Sequence, residues 1–137
     1  MAIILDGDIG VTAADVAATT LSINAGYGSN AAAYGCRAWV NFNGTGTVAI
    51  RESGNVSSIT DNGTGDYTIN FTTAMPDANY SATFMLGRDG SNIDVFSAIH
   101  PTVLPTTSAL RIRTAYLSQV GASTYVDLAR INIAVFR

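Results

Sequence analysis

From about residue 35 onward, apolar and polar residues alternate with period two, the mark of strands that bury one face. The clearest run is Tyr67-Thr68-Ile69-Asn70-Phe71-Thr72. Tyr67, Ile69 and Phe71 share one face, and Thr68, Asn70 and Thr72 share the other. Residues 109–116 alternate in the same way, with Leu110, Ile112 and Thr114 opposite Arg111 and Arg113. Further strands are predicted over 38–43, 48–52, 56–60, 80–86 and 93–96. A last, longer strand is predicted over 124–136, with Tyr125, Asp127, Ala129, Ile131, Ile133 and Val135 facing away from Val126, Leu128, Arg130 and Asn132.

Turn chemistry separates these runs. Gly44-Thr45-Gly46, Ser53-Gly54, Met75-Pro76-Asp77 and Arg88-Asp89-Gly90-Ser91-Asn92 are breaks, and Pro101 and Pro105 bracket a loop. Asp61-Asn62-Gly63-Thr64-Gly65-Asp66 contains Asn-Gly, the strongest short hairpin signal, because both residues tolerate positive φ. Roughly eight strands spaced about ten residues apart predict an all-β domain, an antiparallel β-sandwich or a jelly-roll-like relative of it.

The pattern changes before residue 35. Residues 7–34 are rich in Ala, Gly, Thr and Asn. They admit a short strand over 2–5, a short helix over 12–18 started by Thr12 with Asp15 closing a weak capping box, a strand over 19–24 and a loop over 25–33. The chain therefore divides into an irregular N-terminal segment, residues 1–34, and a β-domain, residues 35–137.

Charge sharpens this picture. Only 12% of residues are charged, about half the usual share of a soluble domain. The net charge is −3, and all 7 basic residues are arginine. A chain without a basic cluster suits neither nucleic acid nor an anionic membrane surface. Lysine commonly protects exposed sheet edges. Its absence here, together with 47% hydrophobic residues, predicts that some surface is covered by further copies of the chain. Met1-Ala2-Ile3-Ile4-Leu5-Asp6 lacks the basic start of a signal peptide, and no apolar stretch is long enough to span a bilayer as a helix. Synthesis in the cytoplasm is the expectation.

Catalytic chemistry is not evident. The single cysteine, Cys36, reads as a small buried residue beside Trp39, and the single histidine, His100, as a loop residue before Pro101. There is no nucleophile elbow, phosphate loop or dinucleotide fingerprint, and one Cys and one His cannot complete a zinc site. Asp6-Gly7-Asp8 and the Asp61–Asp66 stretch lack the ligand spacing of a calcium loop and read as Asx turns. No pair of carboxylates is singled out for glycosidase work. Hence no catalytic residue, cofactor or metal is expected. Tyr27, Tyr34 and Tyr116 are able to stack on sugars, but they read first as half-buried core or interface residues.

One stretch carries a resemblance. Arg51-Glu52-Ser53-Gly54-Asn55-Val56, continuing through Asp61-Asn62-Gly63-Thr64-Gly65-Asp66-Tyr67 to Met75-Pro76-Asp77-Ala78-Asn79-Tyr80, resembles a segment common in bacteriophage tail-fibre and other virion structural proteins. The strand Ala38-Trp39-Val40-Asn41-Phe42-Asn43-Gly44-Thr45-Gly46 resembles the one that usually precedes it. The similar region spans residues 38–84. The resemblance implies a structural role in a virion and a homotrimer. The family usually carries this segment near the end of a long fibre, whereas only about thirty-five residues precede it here, so a short tail-fibre or appendage module is expected rather than a long shaft; the Ala/Gly-rich residues 1–34 are expected to attach it to other virion proteins or to intertwine the subunits. Contact with a host-surface glycan or protein is expected, if anywhere, from loops 87–92, 100–107 and 117–124. In those loops Arg88, Asn92, His100, Thr106 and Gln119 are the candidate receptor contacts. A capsid decoration protein is the alternative reading, and a small polysaccharide depolymerase a more distant one.

Overall fold

The computed structural model describes residues 22–23, 31–32, 35–87, 94–117 and 122–137. The chain divides into two compact units, residues 1–33 and 34–137. In the first, β1 (Ser22–Ile23) pairs antiparallel with β2 (Ala31–Ala32). The strand expected over 2–5 and the helix expected over 12–18 lie outside the described residues.

The second unit is all-β. Its nine strands are β3 (Cys36–Asn43), β4 (Ala49–Gly54), β5 (Val56–Gly63), β6 (Asp66–Phe71), β7 (Ser81–Gly87), β8 (Val95–Ile99), β9 (Ala109–Leu117), β10 (Ser123–Tyr125) and β11 (Arg130–Phe136). They form two antiparallel sheets. One has the order β4-β3-β11-β7; the other runs β10-β9-β6-β5, with β8 also on β9. No described residue is helical.

The period-two pattern decides which face of each strand is buried. Tyr67, Ile69 and Phe71 of β6 and Leu110 and Ile112 of β9 point inward, as do Ala38, Val40 and Phe42 of β3 and Ile131, Ile133 and Val135 of β11. These residues of both sheets belong to one apolar cluster, a sandwich-like arrangement whose burial is the main driving force for folding. Phe42 and Tyr67 join the sheets edge to face at 5.3 Å. The Tyr67 hydroxyl donates to Asp127 Oδ1 at 2.7 Å and lies 3.0 Å from the Gly44 carbonyl. Its buried polar end is thus satisfied. Burial, reinforced by the hydrogen bond to Asp127, raises its pKa well above that of a free tyrosine.

Two turns show why particular residues stand where they do. Asn55, between β4 and β5, has a φ of 56°, a conformation Asn tolerates better than most residues. Its side chain repays the strain. Nδ2 donates to the Arg37 and Thr73 carbonyls, each at 3.1 Å, and Oδ1 accepts from Thr73 N at 2.7 Å. Gly65, in the β5–β6 turn, has a φ of +64°, and a Cβ there would run into the Thr114 carbonyl. Thr114 N donates to the Gly65 carbonyl at 2.8 Å, so the turn lies directly on β9.

Two sequence expectations need correction. The final segment is two strands, not one. β10 pairs with β9 in one sheet, whereas β11 pairs with β3 and β7 in the other. Residues 126–129 carry the chain between the sheets, so strict alternation stops there. Leu128 turns inward and is fully buried, and its carbonyl accepts from Gly44 N at 2.9 Å. Cys36 is exposed, not buried. It stands at the first residue of β3, where its thiol donates to the Ala38 carbonyl at 3.2 Å.

Candidate functional site

The outer face of the four-stranded sheet holds a groove of 660 Å³. It is built by the register of the strands. With Ala38, Val40 and Phe42 inward, Trp39 and Asn41 of β3 must face outward. By the same alternation, Asn132 and Ala134 of β11 and Thr83 and Met85 of β7 also face outward. Trp39 pairs with Ala134, which pairs with Thr83; Asn41 pairs with Asn132, which pairs with Met85. A large indole beside two small side chains leaves a step, and the groove lies over it. Trp39 is 42% exposed and Met85 is 73% exposed.

Two local features complete the groove. Gly54 is the cross-strand partner of Trp39 on β4. A Cβ at Gly54 would collide with the indole Nε1 and Cδ1, so the missing side chain lets the ring lie across β4. A β-bulge opposite Asn41 and Phe42 then places Arg51 as an extra residue between Glu52 and Ile50. Successive strand residues ordinarily point to opposite faces, but the bulge directs both Arg51 and Glu52 to the groove.

The polar groups form an ordered chain across the sheet. Arg51 Nη2 donates to the Ala129 carbonyl at 2.6 Å, and Nη1 donates to Asn41 Oδ1 at 3.1 Å. Asn41 Nδ2 donates to Asn132 Oδ1 at 2.6 Å, and Asn132 Nδ2 donates to the Met85 carbonyl at 3.3 Å. The guanidinium only donates, so it fixes which end of each amide is the acceptor. One carboxylate oxygen of Glu52 accepts from Ser53 N at 3.3 Å. The result is a rigid aromatic surface next to oriented amides, a guanidinium and a carboxylate.

A second polar cluster sits on the outer face of the five-stranded sheet and differs in kind. Asp66 accepts two hydrogen bonds from Arg111, Nε to Oδ1 at 2.7 Å and Nη2 to Oδ2 at 3.0 Å. Arg113 Nε lies 3.6 Å from Oδ2 and His100 Nε2 3.5 Å from it. Arg113 also donates to the Tyr125 hydroxyl at 2.6 Å and stacks on that ring at 4.7 Å. The Arg111 hydrogen bonds hold the Asp66 carboxyl below its ordinary pKa, against the opposing effect of burial. Burial, helped by Arg113 and Arg111, lowers the pKa of His100.

The predicted receptor contacts are not gathered into one site. Arg88, Asn92 and Gln119 lie outside the described residues. His100 is 5% exposed and faces Asp66, so its imidazole is not a surface contact. Thr106 is exposed, but its Oγ1 accepts from Ala109 N at 3.0 Å and so closes the turn into β9. The Asp61–Asp66 stretch does not converge on a cation: Asp61 Oδ1 accepts from Gly63 N at 2.9 Å, while Asp66 is turned to Arg111. Among the described residues, no three His, Cys, Asp or Glu side chains come together as metal ligands.

Sequence reasoning about loops missed the groove, because it lies on strands. The signal was available at Trp39, the one bulky apolar residue on the polar side of Ala38-Trp39-Val40-Asn41-Phe42. The bulge that brings Arg51 and Glu52 together has no such local sign. No protein-family model matches this chain, and no curated protein or solved structure matches it.

Proposed function

We propose that this chain is a non-catalytic structural module of a bacteriophage virion, a short tail-fibre or appendage component that binds a host-surface glycan in the Trp39 groove. In this reading residues 35–137 form a β-sandwich, the active form is a homotrimer, and residues 1–34 dock it onto other virion proteins. The virion assignment draws its support from the resemblance over residues 38–84. Low charge and the lack of lysine favour self-association. The groove carries the binding part of the proposal. Trp39 offers a flat face to the apolar side of a sugar ring, and the flanking amides, Arg51 and Glu52 supply donors and acceptors for its hydroxyls. A few convergent polar groups around an aromatic surface is how small-molecule sites obtain orientation and specificity.

The test is binding of the purified protein to an array of bacterial surface polysaccharides, alongside the Trp39→Ala variant. Retention of at least one glycan by the wild type, with a loss of roughly tenfold or more in affinity in the variant, supports the reading; hot-spot aromatics commonly cost that much on truncation. Equal binding by both proteins removes the groove from the account. Cryo-electron microscopy of virions then separates an appendage from a capsid decoration protein, and light scattering tests the trimer. Incorporation of a variant lacking residues 1–34 at the wild-type level would overturn the docking role of that segment.

A further inference from the structure

His100 is held by hydrogen bonds at Nδ1 and faces a carboxylate at Nε2. Its Nδ1 accepts from two backbone amides of the following loop, Val103 N at 3.1 Å and Thr102 N at 3.3 Å. Both amides are N–H donors, and the Thr102 hydroxyl, 3.4 Å from the same nitrogen, is able to donate to it as well; Nδ1 therefore carries no proton and the single ring proton is on Nε2. Nε2 points at Asp66 Oδ2, 3.5 Å away. The backbone of His100 is tied down as well, since its N–H donates to the Arg111 carbonyl at 2.9 Å. One neutral imidazole therefore pins residues 101–104 against β9. That loop ends in two surface apolar side chains, Val103 at 37% and Leu104 at 77% exposure.

We infer that His100 is an acid-sensitive latch on residues 101–104, closed while its imidazole is neutral and opened when a proton is added at Nδ1. The new N–H would point at two N–H groups, so both amide hydrogen bonds are lost and two backbone donors are left without an acceptor, even where the Thr102 hydroxyl turns to accept the new proton. The surroundings set the direction of the effect. The charged groups facing the ring among the described residues are Asp66 on β6 and Arg111 and Arg113 on β9, and residues 101–104 contribute none. Asp66 alone would favour an imidazolium. It is already engaged by Arg111 through two hydrogen bonds, with Arg113 nearby, so a protonated His100 would be a third cation around one carboxylate. Burial opposes the charge too. The lowered pKa of His100 agrees with this geometry. Asp66 is held below its own ordinary value, chiefly by the Arg111 hydrogen bonds.

The experiment is an NMR titration of the full, ¹⁵N-labelled chain from pH 8 down to roughly pH 4.5, a span that brackets an ordinary histidine. It follows the imidazole protons of His100 and the hydrogen-exchange protection of the Thr102 and Val103 amides. His100 is expected to titrate below the ordinary histidine value of 6.5. The two loop amides are expected to lose protection by roughly tenfold or more at the same midpoint, the size of a lost hydrogen bond, while amides of β6 and β9 keep theirs. Titration at or above 6.5, or loop amides that stay protected through the titration, overturns the latch. The His100→Asn variant supplies a second reading, because Asn places a carbonyl oxygen where Nδ1 stands and does not titrate. Its loop amides should remain protected to the acid end of the range. If they open at the wild-type midpoint, another group drives the change and the proposal fails.

Discussion

The two outer sheet faces obey the same alternation and end in opposite states. On the five-stranded sheet, outward residues close on one another. Asp66, Arg111, Arg113, His100 and Tyr125 face one another in one cluster, and Asp66 and His100 are buried by it. On the four-stranded sheet, outward residues form an open row. Trp39 and Met85 remain in solvent, and the Arg51–Asn41–Asn132 chain leaves the Glu52 carboxylate and the indole face available. Side-chain length and charge account for the difference. Two long arginines, a neutral histidine and one short anion on neighbouring strands fold over the sheet and shut it, whereas amides beside alanine and threonine stay flat. A closed cluster supplies stability and conformational specificity. An open row can accept a ligand.

The largest way to break this comparison is to remove the anion of the closed face. Asp66→Ala leaves Arg111 and Arg113 with no counter-charge in a partly buried setting. Removing one partner of such a network costs about 2–4 kcal/mol, given that both arginines retain some contact with water. For a unit of this size that is a fall in Tm of roughly 10–20 °C. Trp39→Ala on the open face should move Tm by only a few degrees. Thermal melts of the two variants by circular dichroism measure both. A D66A protein that melts within a few degrees of the wild type would show that the cluster is decoration.

The same contrast predicts a pH dependence, and its sign follows from Asp66. The folded-state pKa of Asp66 lies below its ordinary value of 3.8, chiefly because of the Arg111 hydrogen bonds. Between those two values the unfolded chain binds more protons than the folded one, so stability falls as pH drops. The contribution is whole above about pH 5 and is lost as the carboxyl protonates in the folded protein. Asp77, paired with Arg137, is shifted in the same direction by that partner. Melts from neutral pH to below pH 3 should show a steep acid limb. The limb should flatten in Asp66→Asn, which is already destabilised and has no carboxyl left to protonate there. An acid limb of equal steepness in both proteins would assign it to other groups.

How far the sequence reached can be judged residue by residue. β6 and β9 were legible because each stays in one sheet and buries one face, so Tyr67, Ile69, Phe71, Leu110 and Ile112 stood out at period two. The end of the chain was not, because changing sheets at residues 126–129 resets the alternation without a glycine or proline to mark it. Thr114 holds that crossing, with its hydroxyl donating to the Val126 carbonyl at 2.6 Å. This contact joins residues 12 positions apart, and nothing in the alternation between them marks it. Both outer faces share that limit. Asp66 and Arg111 are 45 positions apart, and Asn41 and Asn132 are 91. Strand pattern tells which residues face outward. Strand order, which periodicity does not encode, tells which of them meet. Loops were the reasonable first place to look for recognition, but the groove stands on strands, where Trp39 breaks the polar side of its own pattern.

The smallest effect sharpens the comparison from the open side. Gly54 lets the Trp39 indole lie across β4, and a methyl group there would meet Nε1 and Cδ1 of that ring. In Gly54→Ala the indole, being the movable partner, is pushed away from β4 and over Ala134. Two stability terms then oppose each other. The displaced ring loses packing, while replacing glycine restricts the unfolded chain by about 0.4–1 kcal/mol in the protein's favour. Tm should therefore change by no more than a few degrees. The environment of the ring should change clearly, and Trp39, the only tryptophan in the chain, reports it directly. Its emission maximum and its quenching by acrylamide should both shift from the wild-type values, and affinity for any glycan that binds the groove should drop with them. An unchanged emission spectrum would mean that Gly54 does not position the indole, and the flat aromatic wall of the groove would need another cause.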